Sequence, residues 1–241
     1  MLYKASLLKR IILKIKYGYK SSTKSYEMFL RKKGIAIGKN VKFNSPWTLI
    51  IDYLKPWLLE IGDDVIIAGN VSIITHGADW RILHNLYGDV IGSGDKVKIG
   101  NNVFVGIGTT ILKGVTIGDN VIIGAGSTVT KDLQANGVYA GTPAKYIMSI
   151  EEYYHKRKKK QLDELKLNVK EYYKHYGKNP TKYQMREYFW LFTNRNKKLE
   201  ETFVKLNGDC SNSENSIKRF YETEPEYNTF EEFLESIKDE Q

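Results

Sequence analysis

Cysteine is nearly absent from this 241-residue chain: Cys210 stands alone, far from the patterned middle of the sequence. That excludes an intrachain disulfide framework and any multi-cysteine metal cluster, and points to a reducing, cytoplasmic setting. Long apolar runs are also missing. No stretch approaches the roughly 18 consecutive apolar residues that a bilayer span requires. The apolar segments near the start are broken by Lys9, Arg10, Lys14 and Lys16, which leaves no room for a secretory signal. No zinc-ligand, helix-turn-helix or aromatic-basic RNA pattern accompanies the positive charge, so nucleic acid is not an expected partner. What remains, with 41% apolar and 27% charged residues, is enough to fold one ordinary domain with a modest appendage.

The net charge of +9 is not spread evenly. Residues 1–34 carry ten Lys/Arg against one Glu, so the whole formal excess lies there. Residues 35–147 balance at nine of each sign, and residues 148–241 at eighteen of each. Leu8, Ile12, Ile15 and Tyr19 recur among the N-terminal lysines at helical spacing. A basic amphipathic helix of this kind either caps the next domain or meets an anionic membrane surface or acidic pathway enzyme.

The middle of the chain repeats every six residues. Ile99, Val105, Ile111, Ile117, Ile123 and Val129 form one unbroken row, and Val97, Val103, Thr109, Val115, Val121 and Ser127 form a second, two residues earlier. Ile-Gly-x-x-Val recurs at Ile37, Ile61, Ile99 and Ile117. A period of six cannot hold one face of a 3.6-residue helix, but it fits a short strand followed by a corner. Three such units close a triangular coil of 18 residues, and coils stack at about 4.8 Å. Glycine and Asn/Asp are expected at corners that need positive φ. The spacing also exposes irregularities: six extra residues around Trp47 to Trp57, and an inserted loop running from about Thr75 to Asp95. Long loops on rigid scaffolds are where function concentrates.

With the repeats in place, further stretches become informative: Ile74-Thr75-His76 opening the loop, the run Ile99 to Gly106, Gly124 to Asp132, and Ala140-Gly-Thr-Pro-Ala-Lys145. Together they resemble the hexapeptide-repeat acyltransferases, in the branch of maltose, galactoside and polysaccharide O-acetyltransferases. The resemblance implies a mainly β fold, a left-handed parallel β-helix over about residues 35–148. A basic helical segment precedes it over 1–34 and an α-helical extension follows over 149–241. It further implies a homotrimer with acetyl-CoA bound between neighbouring subunits and a carbohydrate acceptor.

Acetyl transfer to an alcohol needs the hydroxyl proton removed as the oxygen attacks the thioester, a task suited to a positioned imidazole. His76, at the loop mouth where the resemblance places a general base, is the candidate, with Asp79 or Asp89 to hold its other ring nitrogen. The resemblance assigns the backbone N–H of Ile107, after Gly106, to the developing oxyanion, which requires a fixed donor. It also places Ala125 and Gly126 beside the pantetheine arm, Thr130 and Lys131 near the nucleotide, and Lys145 among the phosphates. Asp79, Trp80, His84 and Phe104 are acceptor-side candidates, and Arg81 and Tyr87 add to the surface of the loop. Relatives often carry tryptophan at the position of Phe104 and serine at that of Ile107. The coils from Val97 to Lys145 contain no histidine, so a three-histidine metal site is not expected.

Beyond Pro143 the six-residue period stops. Glu151 to Tyr176 reads as a long helix, Thr181 to Phe192 and Phe203 to Leu206 as shorter ones, and Gly208 to Asn215 as a flexible link. Phe230, Phe233, Leu234 and Ile237 at helical spacing suit packing against the basic helix or a neighbour. The expected activity is transfer of acetyl from acetyl-CoA to a sugar hydroxyl in surface-polysaccharide synthesis. N-acetylation of an amino sugar and a non-catalytic trimeric scaffold stay open.

Overall fold

The computed structural model describes residues 7–208 and 213–238, which fall into two compact units dividing between Tyr153 and Tyr154. In the first unit every six-residue period becomes a strand of two or three residues and a corner. The first coil is β1 (Ala36–Ile37), β2 (Lys42–Phe43) and β3 (Ile50–Ile51). The second is β4 (Leu59–Ile61), β5 (Ile66–Ile67) and β6 (Ser72–Ile73). The third is β7 (Val97–Ile99), β8 (Phe104–Val105) and β9 (Thr110–Ile111), and the fourth β10 (Thr116–Ile117), β11 (Ile122–Ile123) and β12 (Thr128–Val129). β13 (Gly137–Ala140) extends one face, and β14 (Lys145–Ser149) pairs antiparallel with β13 at that face's edge. Stacking generates three faces, ordered β1-β4-β7-β10, β2-β5-β8-β11-β13-β14 and β3-β6-β9-β12, with every coil-to-coil pairing parallel.

Register keeps like residues together: Ile61 pairs with both Ile37 and Ile99, and Ile111 with both Ile73 and Val129. Both sequence rows point inward and are buried, including Thr109 and Ser127. The Thr109 and Ser127 hydroxyls escape a desolvation penalty by donating to the Gly124 carbonyl, at 3.3 and 2.7 Å. Each fully buried aliphatic side chain of these rows contributes about 1.5–3 kcal/mol, and the core is one continuous column of them.

Glycine and Asn/Asp hold the positive-φ corners, as expected, at Gly108, Gly114 and Gly126 among the glycines. Left-handed φ also falls on Asn40, Asp64, Asn102 and Asn120, two residues past the glycine of each Ile-Gly step, and on Asn136 at the corner before β13. Their amides stack into a ladder, Asn102 to Asn120 at 2.8 Å and Asn120 to Asn136 at 2.9 Å. Gly100 serves close approach instead: a Cβ there would lie 2.4 Å from Asp119 Oδ1 and 2.8 Å from the Gly118 backbone. The six extra residues split in two. Phe43 to Ile51 is two residues longer than a plain side, and Ile51 to Ile61 is four longer.

Capping of the coil falls to the second of the two α-helices in the basic segment. In α1 (Leu7–Tyr17) the apolar residues Leu7, Leu8, Ile11, Ile12 and Ile15 are all exposed. The following helix α2 (Thr23–Lys33) buries Tyr26 and Leu30 completely. Ser22 caps its N-terminus by accepting from the Ser25 N–H, and Gly34, in the left-handed region, ends it. Thr23 donates to the Phe43 carbonyl at 2.7 Å and Arg31 to the Gly38 carbonyl at 2.6 Å, tying α2 to the first coil.

The inserted segment leaves after β6 and returns at β7. It carries a short helix, α3 (Trp80–Tyr87), none of whose residues is buried.

The second unit begins within α4 (Ile150–Tyr176), which buries Leu165 and Val169. Thr181 to Phe192 does not form the expected α-helix; turns lead into a 3-10 stretch, Arg186–Leu191. Phe189 and Leu191 are both buried, and an α-helix would turn them about 200° apart. α5 (Glu201–Gly208) and α6 (Ser213–Tyr221) reach into both ends of the expected link, which otherwise covers residues 209–212. Those residues, with Cys210, lie outside the described residues. Phe230 and Phe233 of α7 (Phe230–Ser236), with Ile237 just after it, are buried in this unit's own aromatic core, where Phe189 stacks on Phe203 at 4.8 Å.

Candidate active site

His76 sits where the chain departs from the coil. A bridge between His76 and Gly94 and bonds from Gly77 N–H to Ser93 (3.0 Å) and from Asp95 N–H to Thr75 (2.9 Å) pin the root of the insertion. The imidazole is therefore carried on fixed backbone, although the loop tip is exposed. Its Nδ1 hydrogen-bonds to Asp52 Oδ2. A carboxylate can only accept, so Nδ1 carries a hydrogen, and in the neutral imidazole the lone pair is on Nε2.

Asp52 takes the role expected of Asp79 or Asp89. Those two are exposed, and Asp79 stands at the start of α3 without a side-chain cap bond. Asp52 follows Ile51 in the coil below and aligns across the strands with the start of the insertion: its N–H donates to the Ile73 carbonyl at 3.0 Å. Besides the imidazole, its carboxylate accepts from the Thr75 hydroxyl at 2.6 Å, the Thr75 N–H at 3.3 Å and the Leu54 N–H at 3.1 Å. Burial pushes this carboxyl upward, but the Thr75 hydroxyl, the Leu54 N–H, the His76 ring and the Thr75 N–H together hold it below the usual aspartate range. The result is an ionised, oriented partner for the histidine. Nothing local in the sequence marks Asp52 or Thr75 for these roles, because the four-residue excess after Ile51 hides the alignment of Asp52 with His76.

A shallow groove of about 330 Å3 adjoins this pair, lined by Ile50, Tyr53, Leu54 and Ile74 as well as Asp52 and His76. It lies at β3 and β6 of the face built from β3, β6, β9 and β12. Two edges flank that face, and the remaining site residues are divided between them. Thr130 and Lys131 are exposed on the edge that also carries His76, leaving β12 as His76 leaves β6. Gly106, Ile107, Ala125 and Gly126 occupy the opposite edge, where Gly126 N–H donates to the Ile107 carbonyl at 2.8 Å. Gly106 admits no side chain: a Cβ there would stand 2.6 Å from the Ala125 nitrogen. Ile107 is 54% exposed, and Gly126 is in the left-handed region. About six residues of extended chain, roughly 20 Å, separate the two edges.

The other candidates are dispersed. Phe104, 41% exposed on β8, and Lys145, exposed at the start of β14, belong to a different face. Trp80 opens α3 with the Arg81 guanidinium 5.8 Å from its ring. His84 is exposed on the same helix, its Nδ1 3.1 Å from the Gly88 carbonyl.

The family described as "Bacterial transferase hexapeptide (six repeats)" matches residues 96–131. Protein CapG of Staphylococcus aureus is 45% identical over 124 residues, which are 52% of this chain and 71% of the relative. The chain belongs to the hexapeptide-repeat acyltransferases. Its coil is accordingly a left-handed parallel β-helix with an α-helical C-terminal extension. The galactoside O-acetyltransferase of Escherichia coli (strain K12) is 35% identical to this acyltransferase over 120 residues, 48% of this chain and 54% of the relative. Among solved structures, a maltose O-acetyltransferase from Clostridium difficile 630 is 32% identical, covering 59% of this chain and 84% of that one, with a TM-score of 0.39.

Proposed function

We propose that this acyltransferase moves the acetyl group of acetyl-CoA to a sugar hydroxyl, with His76 as general base, within surface-polysaccharide synthesis. The observation that carries the reading is the Asp52–His76 pair at the root of the insertion. Membership of the family supports the acyl chemistry, and the galactoside O-acetyltransferase relative supports a sugar acceptor. The acceptor oxygen attacks the thioester carbonyl carbon while its proton passes to His76 Nε2. The C–S bond then breaks, and the imidazolium returns the proton to the leaving thiolate. Asp52 stabilises the imidazolium in between. Ala125, Gly126, Thr130, Lys131 and Lys145 are the residues to hold acetyl-CoA, small ones against its arm and lysines toward its phosphates.

The Ile107 N–H is the oxyanion donor in this reading, and its place on the far edge of the face has a consequence. A donor on the far edge of a face about 20 Å wide cannot serve the same carbonyl as His76 within one subunit. A second subunit must bring its Ile107 edge against the first subunit's His76 edge, as a closed homotrimer would.

Exposure of the apolar side of α1, together with the charge of residues 1–34, supports a cytoplasmic enzyme resting on an anionic membrane surface. Among the described residues no helix is long and apolar enough to cross a membrane. Sedimentation with vesicles containing about a third anionic lipid, compared with neutral ones, tests this: equal recovery in both removes it.

The test of the activity is incubation with acetyl-CoA and a panel of sugars, following release of free thiol. Release that depends on a sugar and disappears in His76→Ala is expected. No release with any acceptor, together with no binding of CoA, overturns the reading.

A further inference from the structure

The helical unit contains a concave site that acetyl transfer does not use. A cleft of about 480 Å3 opens between α4, the 3-10 stretch, α6 and the segment after α6. Tyr154, Arg157, Lys158 and Gln161 enter it from α4 at positions i, i+3, i+4 and i+7, a single helix face. Trp190 comes from the 3-10 stretch, Arg219 from α6, and Thr223, Glu224 and Glu226 from the chain beyond.

This cleft is held in shape from beneath. The buried side chain of Arg195 donates to the carbonyl of Trp190 at 2.6 Å and to that of Thr223 at 3.1 Å, both cleft residues. Its guanidinium packs on the Phe220 ring, 3.9 Å from the centroid. On the rim, Arg157 pairs bidentately with Glu164 at 2.6 and 2.7 Å, and Arg219 donates to the Tyr154 hydroxyl at 3.3 Å.

The chemistry of the lining narrows the ligand. Arg157 is paired with Glu164, and Lys158 and Arg219 share the lining with Glu224 and Glu226. A polyanion such as nucleic acid gains little from so balanced a charge. A purely apolar ligand would strand the ionic groups of the walls. Two aromatic side chains accompanied by guanidinium, carboxylate and primary amide groups suit a ring with hydroxyls at its edge and C–H bonds on its face. The aromatics take the apolar face, and the planar polar groups take neighbouring hydroxyls two at a time. The volume lies within the roughly 300–1,000 Å3 of small-ligand sites.

We infer that the helical unit is a carbohydrate-binding module whose cleft grips a short segment of a glycan chain. The inference rests on the sugar-acceptor reading and deepens it: the acceptor is a polymer, held by one unit while its reacting hydroxyl is served by another. Such tethering raises the effective concentration of acceptor without any new contact at His76.

The test uses the full-length chain without acetyl-CoA. Maltoheptaose, chitohexaose and a galacturonate oligomer, which are neutral, N-acetylated and acidic, are titrated in a calorimeter. At least one binds in the submillimolar range, and His76→Ala binds it equally well. Arg219→Ala and Glu226→Ala weaken that binding at least tenfold while the thermal transition is unchanged; the exposed Lys158→Ala gives an independent reading should either fail to fold. Binding by none of the three oligosaccharides, or binding equal to wild type in every folded cleft variant, overturns the inference. Binding that is lost in the cleft variants, in a chain that acetylates no sugar, upholds the module and removes the catalytic reading instead.

Discussion

Replacing Asp52 by Asn isolates the contribution of the carboxylate to the proposed chemistry. The aspartate accepts four hydrogen bonds, from the His76 ring, the Thr75 hydroxyl, the Thr75 N–H and the Leu54 N–H. Asparagine has one accepting oxygen, so its amide N–H2 must face at least one of these donors. Loss of the charge-assisted bond to His76 forgoes about 1.5–3 kcal/mol of support for the imidazolium. At about 1.4 kcal/mol per factor of ten, kcat falls about 10–150-fold. The affinity for acetyl-CoA is unaltered, since the residues assigned to it are elsewhere. The unsatisfied donor costs a further 1–3 kcal/mol or so of stability. In a domain of this size each kcal/mol lowers Tm by about 2–4 °C. Initial rates of thiol release at 25 °C, far below the transition, therefore separate chemistry from folding. If Asp52→Asn keeps kcat within twofold of wild type while His76→Ala loses more than a hundredfold, Asp52 does not act through His76.

Other outcomes follow from the same structure. His76→Ala lowers kcat by about 10²–10⁴-fold with CoA binding intact, measured by rates and by calorimetry. Because the Asp52 carboxyl is held low in the folded state, it contributes stability above the ordinary aspartate range, and this is lost as pH falls below about 4 through its folded value. Melting between pH 5 and 3 is accordingly steeper in pH for wild type than for Asp52→Asn. Gly106→Ala forces a methyl group to 2.6 Å from the Ala125 nitrogen and destabilises by about 1–3 kcal/mol in denaturant titration. Ile111→Ala opens a cavity in the fully buried column and costs about 2–5 kcal/mol by the same measurement.

Periodicity carried most of the fold because it is a local property with a geometric cause. A side chain recurring every six residues keeps one direction only if the chain turns a corner each time, so Ile99 to Val129 implied three faces and an inward row. The αL asparagines and the length of the inserted segment were legible for the same reason. The motif at Ile74-Thr75-His76 also placed the histidine at the root of the insertion from sequence alone.

What the tertiary structure decided depends on register between coils, which local pattern does not encode. Asp52 meets His76 because the excess residues of the first coil divide two and four between its corners, and each split would have put a different side chain there. Likewise α2, not the more apolar and more basic α1, covers the open end of the column, since it is Tyr26 and Leu30 that reach the first coil. The division of Ile107 and His76 between two edges of one face, and the cleft over Arg195, are products of packing between residues distant in the chain. Composition names the groups available for chemistry, but only the fold determines which of them stand within a hydrogen bond of one another.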